Sequence, residues 1–455
     1  MLKQRLALLA LPFLVAAAPH DAEKLRDAAL NDDIAWQLTE GLTTEIGPRL
    51  AGSEAEARAR DWAVRKLRAM GFKNVRIERF TIPGWTRGEE RGEILAPFPQ
   101  KLALTALGYS GATPDQGVEA QLVAFDSVAA LEAAPAEQVR GKIVYVGHAM
   151  RPAQDGSSYG YFGTVRRTAP SIAAKKGAAA IVIRGLGTDS HRVPHTGTTN
   201  FEGVQPIPAA ALSNPDADQI ERLLRQDQPI RLRLLITPRQ LGTIESGNVI
   251  AEVPGTDPKA GIIAIGGHLD SWDLGTGAID DASGVAITAA AAKRIMDAGR
   301  PRRTIRVIWF GSEEIGGLGG QAYFNAHQNE PHALVGESDF GADRVWRFET
   351  KLNTGAAGLT TKLERVLAPL GIAKGSGNAT AGADLGPWAR AGTNAVDLDQ
   401  SGLRYFDIHH TADDTLDKID REQLAQNVAA WTAMLAVAAN APENLINDSA
   451  QSLPK

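Results

Sequence analysis

Cysteine is absent from all 455 residues. Disulfides are therefore excluded, and so are thiolates as nucleophiles or metal ligands. Any metal site must be assembled from nitrogen and oxygen donors, and the fold must stand on its core alone. An excess of basic charge is also missing. Against 53 Asp and Glu there are 48 Lys and Arg, a net charge of −5, which gives no support to a nucleic-acid-binding face. No internal repeat or long low-complexity tract is present. No apolar run reaches the roughly 20 residues that a membrane-spanning helix needs.

What is present reads as an exported α/β protein. The hydrophobic fraction of 44% and charged fraction of 22% are ordinary for globular chains. At roughly 100–200 residues per domain, two or three folding units are expected. Lys3 and Arg5 precede an apolar stretch over residues 6–15, and Ala16, Ala17 and Ala18 follow. This pattern predicts a signal peptide over residues 1–18 and a periplasmic or secreted protein. Residues 32–42 and 55–70 have helical apolar spacing, and "FKNVRIERFTI" alternates like a strand. "IPGWTRGEERGEILAPFP" is charged and rich in Gly and Pro, and marks a change of unit. A compact α/β segment is expected over residues 101–245, with strands in "GKIVYVG", "GAAAIVIRG", "IPAAALS" and "IRLRLLI". Its His148, His191 and His195 read as surface or loop residues. From residue 246 to 455, strands over 261–265 and 304–310 alternate with helices over 282–298, 318–327, 360–370 and 421–439. Such alternation predicts a mostly parallel sheet covered by helices on both faces.

Ligands in open α/β sheets bind beyond the carboxyl ends of the strands, and charge collects at those places here. "GGHLDSWDLGTGAIDDASG", residues 266–284, packs His268, Asp270, Asp273, Asp280 and Asp281 into a glycine-rich turn. Glu313 and Glu314 follow the strand over 304–310, Asp339 follows "ALV", and "HHTADDT" places His409 and His410 before the last helix. So many like charges are tolerable around one or two divalent cations. His268, Asp280, Glu314, Asp339 and His410 offer five nitrogen or oxygen ligands from five loops, and one carboxylate between two metals gives an oxygen to each. Asp270, two residues from His268, is placed to accept the imidazole's second N–H and fix its tautomer. Glu313, pointing away from Glu314, is left free as a base. Asp273 and Asp281 are expected to hydrogen-bond the loop.

These motifs, with "WFGSEEIGGLGGQAYF" and "IGPRLAGSEAEARARDWAVRKLRAMGF", resemble the co-catalytic dizinc exopeptidases of the bacterial leucyl aminopeptidase and glutamate carboxypeptidase type, and most closely its plasma glutamate carboxypeptidase branch. "VRGKIVYV", "AAKKGAAAIVIR" and "IPAAALS" resemble the protease-associated domain inserted in such peptidases. The resemblance implies a peptidase domain in two segments, 19–100 and 246–455, around an insert over 101–245. It implies two Zn²⁺ per chain, with His268 and Asp339 on one, Glu314 and His410 on the other, and Asp280 bridging. It also implies Glu313 as general base and then general acid, Asp270 as the residue orienting His268, short peptides or dipeptides as substrates, and a plausible homodimer. The implied reaction is attack by a hydroxide bridging the metals, formed from water acidified by two cations.

Other readings were weighed on the residues. Gly317, Gly319 and Ala322 match a G-x-G-x-x-A dinucleotide fingerprint, but they do not follow their strand directly and would set Glu313 and Glu314 against a pyrophosphate. "GSGNATAG" around Ser376 lacks the spacing of a serine-hydrolase elbow. A single-zinc glutaminyl-cyclase-like acyltransferase and a non-catalytic binding protein share the scaffold, and the full ligand set argues against both. "HRVPHTGTTNF" is a candidate lid. Arg404, Arg344 and Arg347 are candidates to meet a free carboxylate of the substrate.

Overall fold

The computed structural model describes residues 21–31 and 33–446. The signal-peptide assignment over residues 1–18 lies outside the described residues. No helix among the described residues is long and apolar enough to cross a membrane.

Two eight-stranded sheets organise the chain. The first runs in the order Lys73–Thr86, Arg239–Val253, Thr304–Phe310, Ile262–His268, His332–Glu337, Ala395–Gln400, Val345–Lys351, Ala373–Lys374. Its four central strands, from Thr304–Phe310 to Ala395–Gln400, are parallel neighbours. Successive side chains of a strand point to opposite faces, and both faces are covered. Ile263, Ile265, Ile305, Val307 and Trp309 pack with residues of the helices Glu54–Ala69, Ser283–Ala298 and Arg421–Asn440. Ala264, Ile308 and Phe310 face the helices Leu318–His327 and Gly386–Arg390 through Tyr323 and Trp388. Burial on both sides explains why the strands Ile262–His268 and Thr304–Phe310 read as mostly apolar runs.

The second sheet is built from residues 90–236, with the order Gln100–Leu102, Glu90–Ala96, Arg231–Ile236, Val118–Phe125, Ile143–Val146, Ala180–Arg184, Ala209–Leu212, Leu104–Ala106. The expected boundaries at 101 and 246 fall inside the strands Gln100–Leu102 and Arg239–Val253. The reason is a long antiparallel pair, Lys73–Thr86 against Arg239–Val253, which carries the chain out of the first sheet and back into it. Most of the Gly/Pro-rich charged stretch is strand, and only residues 87–89 connect the two sheets there.

His332 shows how burial sets a charge state. Its Nε2 lies 2.7 Å from the Tyr323 hydroxyl, its Nδ1 lies 3.1 Å from the Glu330 carbonyl, and its ring packs 3.7 Å from that of Trp388. One nitrogen donates and the other accepts, so the pocket suits the neutral ring. Burial pushes its pKa down from 6.5 to about 3. The folded pKa lies below the unfolded one, so this stability is complete above pH 6.5 and is lost as pH falls toward 3. Between pH 6.5 and 5 the loss is about 2 kcal/mol, at ~1.4 kcal/mol per unit. His332→Gln should therefore flatten the fall in melting temperature over that range. An unchanged slope in the variant would contradict the assignment.

Candidate metal and catalytic site

The five expected ligands come together at the carboxyl ends of the parallel strands. His268 ends the strand Ile262–His268, Glu314 lies four residues after Thr304–Phe310, and Asp339 lies two after His332–Glu337. Asp280 sits in the kinked turn Ala278–Ala282, with φ −138° and ψ 82°, just before the helix Ser283–Ala298. His410 follows the short helix Tyr405–Ile408 in a left-handed conformation, φ 60°. That conformation is costly for a residue with a Cβ and persists only where the surroundings fix it.

Asp280 is the centre of the cluster. Its Oδ1 lies 2.9 Å from His268 Nε2 and its Oδ2 lies 3.3 Å from His410 Nε2. Asp339 Oδ1 is 3.5 Å from His268 Nε2, and Glu314 Oε2 is 2.9 Å from His410 Nε2. Asp280 Oδ2 and Glu314 Oε1 are buried without a hydrogen-bond partner. Burial opposes charging both imidazoles, yet the carboxylates of Asp339 and Asp280 hold His268 well above its ordinary range, and Glu314 does the same for His410. Burial, with Asp339 and Glu314 adding to it, pushes the Glu313 carboxyl well up. The site demands positive charge.

Three sets of donors are close enough to hold a metal ion: His268, Asp280 and Glu314; His268, Asp281 and Asp339; and Asp280, His409 and His410. Two members of these sets have other engagements. Asp281 accepts the amides of His268 and Gly284, at 3.1 and 3.0 Å, as a residue bracing the loop would. His409 stacks on His410 with ring centroids 3.5 Å apart, and burial pushes its pKa well down. Asp273 likewise binds structure, accepting two bonds of 2.8 Å from Arg87.

Asp270 departs from its expected role. His268 Nδ1 lies 2.9 Å from the Asp270 backbone carbonyl and 3.7 Å from its carboxylate. The carboxylate instead accepts the amides of Glu313 and Glu314, at 3.1 and 3.4 Å. The main chain thus orients the imidazole, and the side chain holds the two glutamates. Both acceptors belong to Asp270, and its carboxylate is drawn away by the two amides of the Glu313–Glu314 loop.

A cavity of about 600 Å³ opens over the cluster. Asp280, Glu313, Glu314, Asp339 and His410 line it together with Tyr159, Arg166, Arg167 and residues 198–200. Those latter residues belong to the chain stretch that builds the second sheet; residues 198–200 lie in the candidate lid "HRVPHTGTTNF", whereas nothing in the local pattern marks Tyr159, Arg166 or Arg167. Arg404 and Arg347 are paired with Asp343 and Asp399 instead of facing this cavity. His195 is buried against Asp189 at 2.6 Å, contrary to the surface reading, whereas His191 is exposed beside Asp413. The glycines of the apparent dinucleotide fingerprint serve packing: a Cβ on Gly319 would sit 2.1 Å from the Gly311 carbonyl oxygen.

Comparison with known proteins fits this geometry. Residues 248–435 match peptidase family M28. Carboxypeptidase Q of Mus musculus is 31% identical over 408 residues, 89% of this chain and 85% of the mouse protein. The chain belongs to peptidase family M28. Human carboxypeptidase Q is 32% identical with the same coverage, and aminopeptidase YwaD of Bacillus subtilis is 25% identical over 86% of this chain and 81% of its own. The crystal structure of an M28 peptidase precursor from Shewanella amazonensis superposes with a TM-score of 0.91 at 43% identity, covering 95% of this chain and 98% of that one. The fold is also shared by BSAP, a zinc aminopeptidase from Bacillus subtilis, at a TM-score of 0.64 and 20% identity, over 90% of this chain and 95% of that one. As an M28 peptidase, the chain carries the mixed α/β architecture expected from its alternating strands and helices.

Proposed function

We propose that this M28 peptidase is an exported dizinc exopeptidase that cleaves dipeptides or short peptides. Asp280 supports this reading most strongly, because its two carboxylate oxygens face two different histidines. His268 and Asp339 would hold one zinc, Glu314 and His410 the other, and Asp280 would bridge them. The donor set fits zinc. Imidazole nitrogens and carboxylate oxygens are the donor types zinc accepts in the absence of cysteine, and the four contacts among them around Asp280, His268 and His410 span 2.9 to 3.5 Å. The unpartnered Asp280 Oδ2 and Glu314 Oε1 are satisfied in the same way.

The chemistry such a pair supplies when bound is Lewis acidity, which lowers the pKa of water toward neutrality and polarises a carbonyl. The protein's own groups do the rest. Glu313 lines the cavity beside Glu314 and is held by the Asp270 carboxylate through its amide. It takes the proton from the attacking water and delivers it to the leaving amine. The inserted unit, proposed as a protease-associated domain, walls the cavity through Tyr159, Arg166, Arg167 and residues 198–200 and would restrict substrates to short chains. Export rests on the basic and apolar N-terminal pattern.

The test is hydrolysis of one dipeptide with free, N-blocked and C-blocked ends by the zinc-loaded protein. Cleavage of the free dipeptide and loss on blocking one end names the exopeptidase type. Equal cleavage of all three, or cleavage of none, contradicts the proposal.

A further inference from the structure

We infer that the inserted unit is a built-in support for one of the two metal positions, the one formed by Glu314 and His410, whereas the histidine of the other position, His268, is oriented from within its own loop. The inference rests on the dinuclear reading above. Its basis is an asymmetry in how the two histidines are held. His268 is oriented from within its own loop, by the Asp270 carbonyl at 2.9 Å from Nδ1. His410 has no such local partner. Its Nδ1 lies 3.3 Å from the carbonyl of Thr196 and 3.3 Å from Arg166 Nη1.

The Thr196 carbonyl is placed to accept from His410 Nδ1. Arg166 Nη1 donates to the Thr196 carbonyl at 3.1 Å, and that oxygen has a second lone pair for the His410 Nδ1–H. With Nδ1–H donating there, Nε2 would be free to bind a metal beside Asp280 Oδ2 and Glu314 Oε2. Arg166 is itself fixed by donating to the Tyr159 hydroxyl at 2.7 Å. Gly197 lies directly over it, since a Cβ there would come within 2.1 Å of Nη1.

The same strap grips the main chain of both ligand loops. The Thr196 amide donates to the His410 carbonyl at 3.0 Å. Thr198 Oγ1 donates to the Glu314 carbonyl at 2.7 Å. Farther along, Thr188 bonds the Phe406 carbonyl at 3.2 Å through its amide and the Asp407 carboxylate at 2.6 Å through its hydroxyl. The left-handed backbone at His410 needs such outside support. Groups that orient a ligand typically contribute about 10–100-fold to metal affinity. Arg166 and Thr198 are positioning residues here, acting on His410 and Glu314 instead of on the substrate.

The experiment is a cobalt(II) titration of the metal-stripped full chain, followed by visible absorption and by metal content after gel filtration. Wild type, Arg166→Met and Thr198→Val are compared, with circular dichroism as the check on folding. The expected result is two binding steps in wild type, with only one of them weakened by about 10–100-fold in each variant. A general loss of structure would weaken both steps, and Thr198→Val removes only a hydroxyl, so it carries the test if Arg166→Met does not fold. Two unchanged steps in the folded variants, or equal weakening of both, would overturn the inference and leave the dinuclear reading standing. A wild type that takes up one cobalt or none would overturn the dinuclear reading itself.

Discussion

Glu313→Gln is expected to lower kcat by about 10²–10⁴-fold, the contribution of a positioned general acid–base. Glutamine keeps the shape and the backbone amide that Asp270 holds, but it cannot accept a proton. Glu313 is not among the donors grouped around Asp280, His268 and His410, so metal content should stay at the wild-type value. KM should change little, because the loss falls on the proton-transfer step. Steady-state kinetics beside elemental analysis of the same preparation provides the check. A variant within tenfold of wild type would show that another group takes the proton.

Asp280→Asn should have the larger effect, because one carboxylate serves both positions. Asparagine offers a single oxygen, and its amide would turn N–H groups toward His268 Nε2 or His410 Nε2. Metal content should fall from two per chain to one or none. Activity should drop by at least ~10³-fold, in keeping with the several kcal/mol that a metal pair supplies. Adding excess zinc to the assay should not restore it. Two retained metals with activity within tenfold of wild type would contradict the bridging role.

The central strands were legible in the sequence because they are buried on both faces. "TIRVIWF" and "GIIAIGG" are mostly apolar runs, with Arg306 the one charge inside them, and the charged residues after them could only lie at the sheet's carboxyl edge. The ligand set was legible for the same reason. The strand Val345–Lys351 was not, because its burial is partial and it lacks the apolar run that marks the central strands. The unit boundaries were misplaced because Lys73–Thr86 and Arg239–Val253 pair over a long sequence separation, which no local pattern records. Arg166 escaped notice on similar grounds, lying 244 residues from His410. Thr196 and Thr198 fall in the segment read as a candidate lid, but their contacts with the ligand loops run through main-chain carbonyls, which no sequence pattern records. The role given to Asp270 failed at a finer level: residue spacing placed it correctly, but it did not distinguish a carbonyl from a carboxylate.

The most direct test of the central claim is a crystal structure of the zinc-loaded protein with anomalous data on both sides of the zinc absorption edge. The account predicts two zinc peaks flanking Asp280, one bound by His268 and Asp339 and the other by Glu314 and His410. A single peak, no peak, or a zinc held by His409 in place of His410 would contradict it.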